Sequence, residues 1–172
     1  MLKALPEEAG AAEETVEITH NRGKGGRLLI KIGEWAIQDL EAVTKLMAHL
    51  GYPTSTENMV ARMERIRSDP MYRTWVAEYR QQVVGLIGLR KVILYETDHP
   101  AVQVAALVTR PEYRGRGIGK ALLRRAEAWS KEQGASLIYL TSGNRPEREA
   151  AHRFYRYMGY EISGFRFSKV LK

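Results

Sequence analysis

Residues 107–123 read LVTRPEYRGRGIGKALL, and the reading of this stretch decides the fold. An apolar run over 102–108 meets Pro111, then a loop alternating arginine with glycine, then an amphipathic helix that begins near Gly117. Strand, glycine-rich turn and helix in that order leave several backbone N–H groups unpaired at the helix start, where the positive end of the helix dipole also lies. Such a corner suits a phosphate, so the expected ligand is a phosphorylated molecule.

Two common phosphate loops are excluded by what this one lacks. A P-loop needs glycine five positions before its Gly-Lys pair and Ser or Thr after it, but Arg114 and Ala121 stand there. The dinucleotide fingerprint needs a third glycine where this chain has Lys120. What remains is Arg114-x-x-Gly117-x-Gly119 between a strand and a helix. A second segment, NRPEREAAHRFYRYMGY over 144–160, carries Asn144 after a strand, a helix ending in Phe154-Tyr155, and the pair Gly159-Tyr160 leading onward. Together the two segments resemble the GNAT N-acetyltransferases, whose acetyl-coenzyme A loop has the pattern Arg/Gln-x-x-Gly-x-Gly/Ala. The resemblance is good over 75–171 and holds only in outline before that. LGYPTS at 50–55 and REAAHRFY at 148–155 look like bacterial relatives labelled aminoglycoside or small-amine acetyltransferases.

Periodicity supplies the rest of the layout. Residues 1–26 are rich in Ala, Glu and Gly and read as a mobile extension that the fold can lose, leaving one domain over 27–172. A strand is expected at 28–32, an amphipathic helix at 36–50, and a second at 58–67 capped by Ser55 or Thr56. Strands at 74–79 and 83–94 form a meander, followed by a strand at 101–109 and the helix at 117–132. A strand at 136–141, a helix at 147–158 and a final strand or strand pair at 160–170 complete the chain. Hairpin-joined strands that later alternate with helices predict an α/β domain with a mixed sheet of about six to seven strands and helices on both faces. The resemblance implies the GNAT fold, with its fourth and fifth strands splayed around the cofactor.

Composition bounds the alternatives. The chain has 172 residues, 44% hydrophobic and 27% charged, enough for one domain with a sizeable core. It has no apolar run near the ~20 residues of a membrane helix and no basic-then-apolar N-terminus, so a soluble cytoplasmic protein without membrane contact is expected. The absence of cysteine removes disulfides and a thiol nucleophile. His20, His49, His99 and His152 show no ligand spacing, so no metal is expected. The net charge of +7 is uneven, residues 1–19 carrying −4. Alternating signs along the helices and the absence of a nucleic-acid motif argue against a nucleic-acid partner.

The resemblance also implies roles. The pantetheine arm would pair with the backbone of Leu107, Val108 and Thr109, and a bulge there would aim the Val108 amide at the thioester oxygen. Arg114, Gly115, Arg116, Gly117, Ile118, Gly119 and Lys120 would form the pyrophosphate loop, with Arg114 contacting phosphate or bracing the turn. Asn144 would bond to pantetheine amides, or simply cap its helix. Tyr155 would serve the departing sulfur; equally, its spacing with Ala151, Phe154 and Met158 makes it part of a buried stripe. Tyr52 is a candidate for the acceptor pocket, or a loop-packing aromatic. Gln103 stands where many relatives have a glutamate, so the proton acceptor stays open between an acid such as Glu96 or Asp98, reached through water, and arrival of the acceptor as free amine.

The expectation is an acetyl-CoA-dependent N-acetyltransferase acting by direct attack of a small-molecule or peptide amine. A catalytically silent acetyl-CoA-binding sensor is the alternative, favoured by Gln103 and opposed by Tyr155. The oligomeric state is left open, a homodimer included.

Overall fold

The computed structural model describes residues 13–20 and 26–171. Its sheet contains six strands in the order β1 to β6: β1 (Glu14–His20), β2 (Gly26–Glu34), β3 (Tyr72–Tyr79), β4 (Gln82–Val92), β5 (Ala101–Thr109) and β6 (Leu137–Leu140). The first five are antiparallel, and β6 runs parallel to β5. Helices α1 (Leu40–Leu50) and α2 (Thr56–Ser68) join β2 to β3, α3 (Ile118–Glu132) joins β5 to β6, and α4 (Glu149–Tyr157) follows β6.

Each sheet face has its own apolar cluster because alternate strand residues point to opposite sides. Ile30, Trp75, Ile87 and Leu89 pack against Ile118, Leu122 and Trp129 of α3, with the rings of Trp75 and Trp129 meeting edge to face at 5.8 Å. On the other face Val76, Leu86 and Val108 meet Val43 and Leu46 of α1 and Met59 and Met63 of α2. Gly85 allows α3 its close approach: a Cβ there would stand 3.1 Å from both Ile118 and Leu122. The α1 region differs from expectation only at its start, where Ile37–Asp39 is a 3₁₀ turn whose Asp39 carboxylate accepts from the Ala36 N–H at 2.8 Å. Ser55, rather than Thr56, caps α2, its hydroxyl accepting from the Asn58 N–H.

Two terminal readings are corrected. Glu14–His20, expected to belong to a mobile extension, is a strand paired with β2 over its whole length. Its acidic composition hid a two-residue alternation, Val16 and Ile18, whose half-buried side chains pack on the α3-side core. Residues 1–12 and 21–25 lie outside the described residues. Deleting residues 1–24 is therefore expected to lower unfolding stability by about 2–3 kcal/mol, the scale of two partly buried aliphatic side chains. Chemical denaturation checks this; an unchanged midpoint would mean that β1 contributes nothing. At the other end, residues 160–171 form no strand, and Ile162, Phe165 and Phe167 are exposed. Ser163-Gly164 breaks the alternation, and without a ladder partner a short strand is not stable.

The splay implied by the resemblance falls between β5 and β6. They pair only from Ala101 opposite Leu137 to Val104 opposite Leu140. Beyond that point β5 continues to Thr109 without a strand partner on that side among the described residues, which leaves a cleft beside its second half.

Candidate active site

A cavity of about 1150 Å³ occupies this cleft, bounded by the end of β5, the loop into α3, one side of α4 and the last turn of α1. The loop is shaped by its glycines. Pro111–Tyr113 makes a 3₁₀ turn, the Arg114 Nε donates to the Thr109 carbonyl at 3.3 Å, and Gly115 and Gly117 take φ of 72° and 90°. Only glycine adopts such values without strain. A Cβ on Gly117 would also lie 2.6 Å from Ile18 Cγ2, so β1 packs directly on the loop.

The first intrahelical bond of α3 runs from the Ala121 N–H to the Gly117 carbonyl at 3.0 Å. The amides of Ile118, Gly119 and Lys120 therefore have no helical acceptor. Arg114, Arg116, Lys120 and Arg124 line the same end of the cavity and form no ion pair among the described residues. Arg116 is steadied over the Tyr113 ring at 5.2 Å, and Lys120 Nζ donates to the Tyr157 hydroxyl at 3.1 Å. Free amides, a dipole end and uncompensated cations make this end a strong anion site.

The β5 backbone supplies the middle of the cleft. The Arg110 N–H donates to the Val84 carbonyl at 2.9 Å, and Val108 lies opposite Leu86. Because backbone groups of a strand point alternately toward and away from a neighbour, Val108 turns its amide to β4 while Leu107 and Thr109 turn theirs to the cleft. Contrary to expectation, the Val108 amide therefore faces β4 rather than the cleft, and its side chain packs against the α1–α2 cluster. The bulge is displaced as well: Gly88 opposes Ala106 and Leu89 opposes Val104, leaving Ala105 as the extra residue.

Helix α4 closes the cavity. Phe154 leans on the loop, its Cζ 3.7 Å from where a Gly119 Cβ would stand. Tyr155 packs its ring on Phe154 and Tyr160, with centroids 5.4 and 6.1 Å away, yet it also lines the cavity. The hydroxyls of Tyr157 and Tyr160 bond Lys120 and Glu127, whereas that of Tyr155 makes no hydrogen bond among the described residues. Burial pushes the Tyr155 phenol above the usual tyrosine range, and the Arg148 charge offsets part of that. The ring packs against the core, while the hydroxyl has no hydrogen-bond partner among the described residues.

Leu107, Val108, Thr109, Arg114, Gly115, Arg116, Gly117, Ile118, Gly119, Lys120 and Tyr155 are all brought to this cavity. Asn144, Gln103 and Tyr52 are not among its lining. Asn144 is exposed in the loop after β6; Gln103 sits in the paired half of β5 between Arg90 and Tyr139; the Tyr52 residue is 60% exposed. Glu96 and Asp98 lie in the exposed β4–β5 connection, also off the lining. His152 braces the loop after β6, its Nε2 lying 3.1 Å from Ser142 Oγ and from the Gly143 carbonyl.

Sequence reasoning missed His49, Glu147 and Arg148, which line the cavity between α1 and α4. Arg148 was within reach of helical periodicity, since it precedes Tyr155 by two turns on the same face. The Arg148 Nη2 donates to the Leu50 carbonyl at 3.0 Å and so ties α4 to the end of α1. Among the described residues no group of three or more His, Cys, Asp or Glu converges as a metal site would require, and no helix is long and apolar enough to cross a membrane.

This fold, with free amides and basic side chains at a helix start beside a split sheet, has clear relatives. Residues 36–160 match the acetyltransferase (GNAT) family. The chain belongs to that family. An aminoalkylphosphonate N-acetyltransferase of Salmonella typhimurium is 36% identical over 103 residues, covering 60% of this chain and 66% of that protein. An uncharacterised N-acetyltransferase of Bacillus subtilis, YhdJ, is 30% identical over 126 residues, covering 72% of this chain and 86% of the other. Among solved structures, a GNAT family acetyltransferase of Staphylococcus aureus superposes with a TM-score of 0.71 at 29% identity, over 83% of this chain and 98% of that one.

Proposed function

We propose that this protein transfers the acetyl group of acetyl-CoA to a primary amine of a small molecule or peptide by direct attack on the thioester. The observation that carries the reading is the continuity of the cavity. It joins the residues at the start of α3, the second half of β5 and Tyr155 in one space. The residues suit the donor: Gly115 and Gly117, at φ of 72° and 90°, shape the turn before the α3 amides, and Arg114, Arg116, Lys120 and Arg124 form no ion pair among the described residues.

The α3 amides and the loop arginines would hold the pyrophosphate. The cleft-facing backbone of Leu107 and Thr109 would pair with the pantetheine arm and stabilise charge growing on the carbonyl oxygen. As the N–C bond forms and the C–S bond breaks, sulfur leaves with the electron pair, and Tyr155 would donate a hydrogen bond to it. Full proton transfer from a phenol near ~10 to a thiolate near ~8.5 is uphill by about 2 kcal/mol. Burial raises the phenol further, so a hydrogen bond is the supported description. An acceptor arriving as free amine loses its proton after attack, and His49 or Glu147 on the cavity wall would receive it.

The sensor alternative drew on glutamine in place of glutamate at position 103. Gln103 is off the cavity lining, which removes that support. Release of free thiol from acetyl-CoA in the presence of amines tests the proposal directly; binding without release for every amine offered would return the sensor reading.

A further inference from the structure

Arg148, which the transfer reading leaves without a role, lies with His49 and Glu147 where α1 meets α4. Arg148 is half-buried, lines the cavity and makes no ion pair among the described residues. Its bond to the Leu50 carbonyl uses one of the five guanidinium donors. A partly desolvated cation with donors to spare is costly unless something anionic completes it. Neighbouring Glu147 is exposed and forms no ion pair with it.

Position then decides what that anion belongs to. Arg148 is the N-cap residue of α4, at the end of the 3₁₀ turn before it, and side chains on a helix lean toward its N-terminus, so Tyr155 leans toward the Arg148 end. The Arg148 charge is felt at the Tyr155 phenol. The loop cations Arg114, Arg116 and Lys120 stand on the α3 side, occupied in the transfer reading by the donor's phosphates. Arg148 therefore faces the acceptor rather than the donor.

We infer that the acceptor is an amino acid-like zwitterion, a primary amine joined by a short spacer to an oxyanion that Arg148 grips. This rests on the acetyl-transfer reading above and names the substrate class of the same site. The guanidinium fork matches phosphonate, carboxylate and sulfonate alike, two parallel N–H···O bonds to each. Exposed Glu147 and His49 remain to attract the ammonium end and take its proton. A polycationic acceptor such as an aminoglycoside is disfavoured, because it would bring further positive charge against an unpaired guanidinium. The phosphonate named in the Salmonella relative's activity belongs to the same chemical class.

Four amines that differ only in the terminal group provide the test: 2-aminoethylphosphonate, β-alanine, taurine and ethanolamine, with kanamycin as polycation. Thiol release from acetyl-CoA is measured for each with the full chain. At least one anionic amine should exceed ethanolamine and kanamycin in kcat/KM by about 100-fold, the scale of a charge-assisted bidentate pair. In Arg148→Ala that ratio should collapse toward unity through KM, and Arg148→Lys should restore part of it. Equal or better use of ethanolamine or kanamycin by the wild-type protein overturns the inference while leaving acetyl transfer intact. So does failure of all three anionic amines both to be acetylated and to stabilise the CoA-saturated protein thermally. Absence of any acetyl-CoA binding sinks the transfer reading itself, a distinguishable result. Should the Arg148 variants not fold, wild-type selectivity alone decides.

Discussion

Tyr155→Phe is expected to lower kcat by about 10- to 10³-fold while leaving acetyl-CoA affinity and thermal stability nearly unchanged. The substitution keeps the ring that packs on Phe154 and Tyr160 and removes only a hydroxyl that has no hydrogen-bond partner among the described residues. Nothing structural is lost, so a rate effect without a stability effect isolates the donor role. The pH profile adds a second readout. Burial raises the folded-state pKa of this phenol, so the hydroxyl keeps its proton through neutral and mildly alkaline pH. By linkage its contribution to stability is fully present below the unfolded value of ~10 and is lost as pH rises through the higher folded value. Any fall in kcat below that range should therefore persist in the Phe variant. A wild-type rate in Tyr155→Phe would make the residue purely structural.

Gly117→Val should abolish the stabilisation that acetyl-CoA confers. For the wild-type chain, ligand at 100 times Kd adds about 2.7 kcal/mol to folding stability. A β-branched residue at φ 90° is strained, and its Cβ would lie 2.6 Å from Ile18 Cγ2, so the loop must move away from the geometry that aims the α3 amides. Some loss of intrinsic stability is also expected, because the same collision disturbs β1. Pairing the change with Ile18→Ala separates the causes: stability should partly return, but the acetyl-CoA shift should not. Thermal denaturation with and without acetyl-CoA reads both. A shift of wild-type size in Gly117→Val would dismiss the loop as the binding site.

The parts of this molecule that could be read from the chain are those whose cause is local. Glycine spacing at 115, 117 and 119 and the helical period from Ala121 to Trp129 announce a loop and a helix without reference to anything distant. The Phe154-Tyr155 pair likewise carries its own period. β1 was obscured because two apolar residues among four polar ones and a histidine look like a solvated segment until β2 supplies the ladder. Residues 160–170 erred in the opposite direction, since alternation promises a strand only where a partner edge is in reach. The direction of the Val108 amide could not be read because strand phase depends on the Arg110–Val84 bond across to β4, which no local pattern encodes. The bond from Arg148 to the Leu50 carbonyl joins residues 98 apart in sequence and likewise left no local signal.

The central claim is that the cavity beside residues 107–123 binds an acyl-CoA. Calorimetric titration of acetyl-CoA into the full chain measures this most directly. Saturable binding at one site per chain is predicted, displaced by CoA and far more weakly by ATP or NAD. Absence of saturable heat at millimolar acetyl-CoA, or displacement by ATP as effective as by CoA, would contradict it.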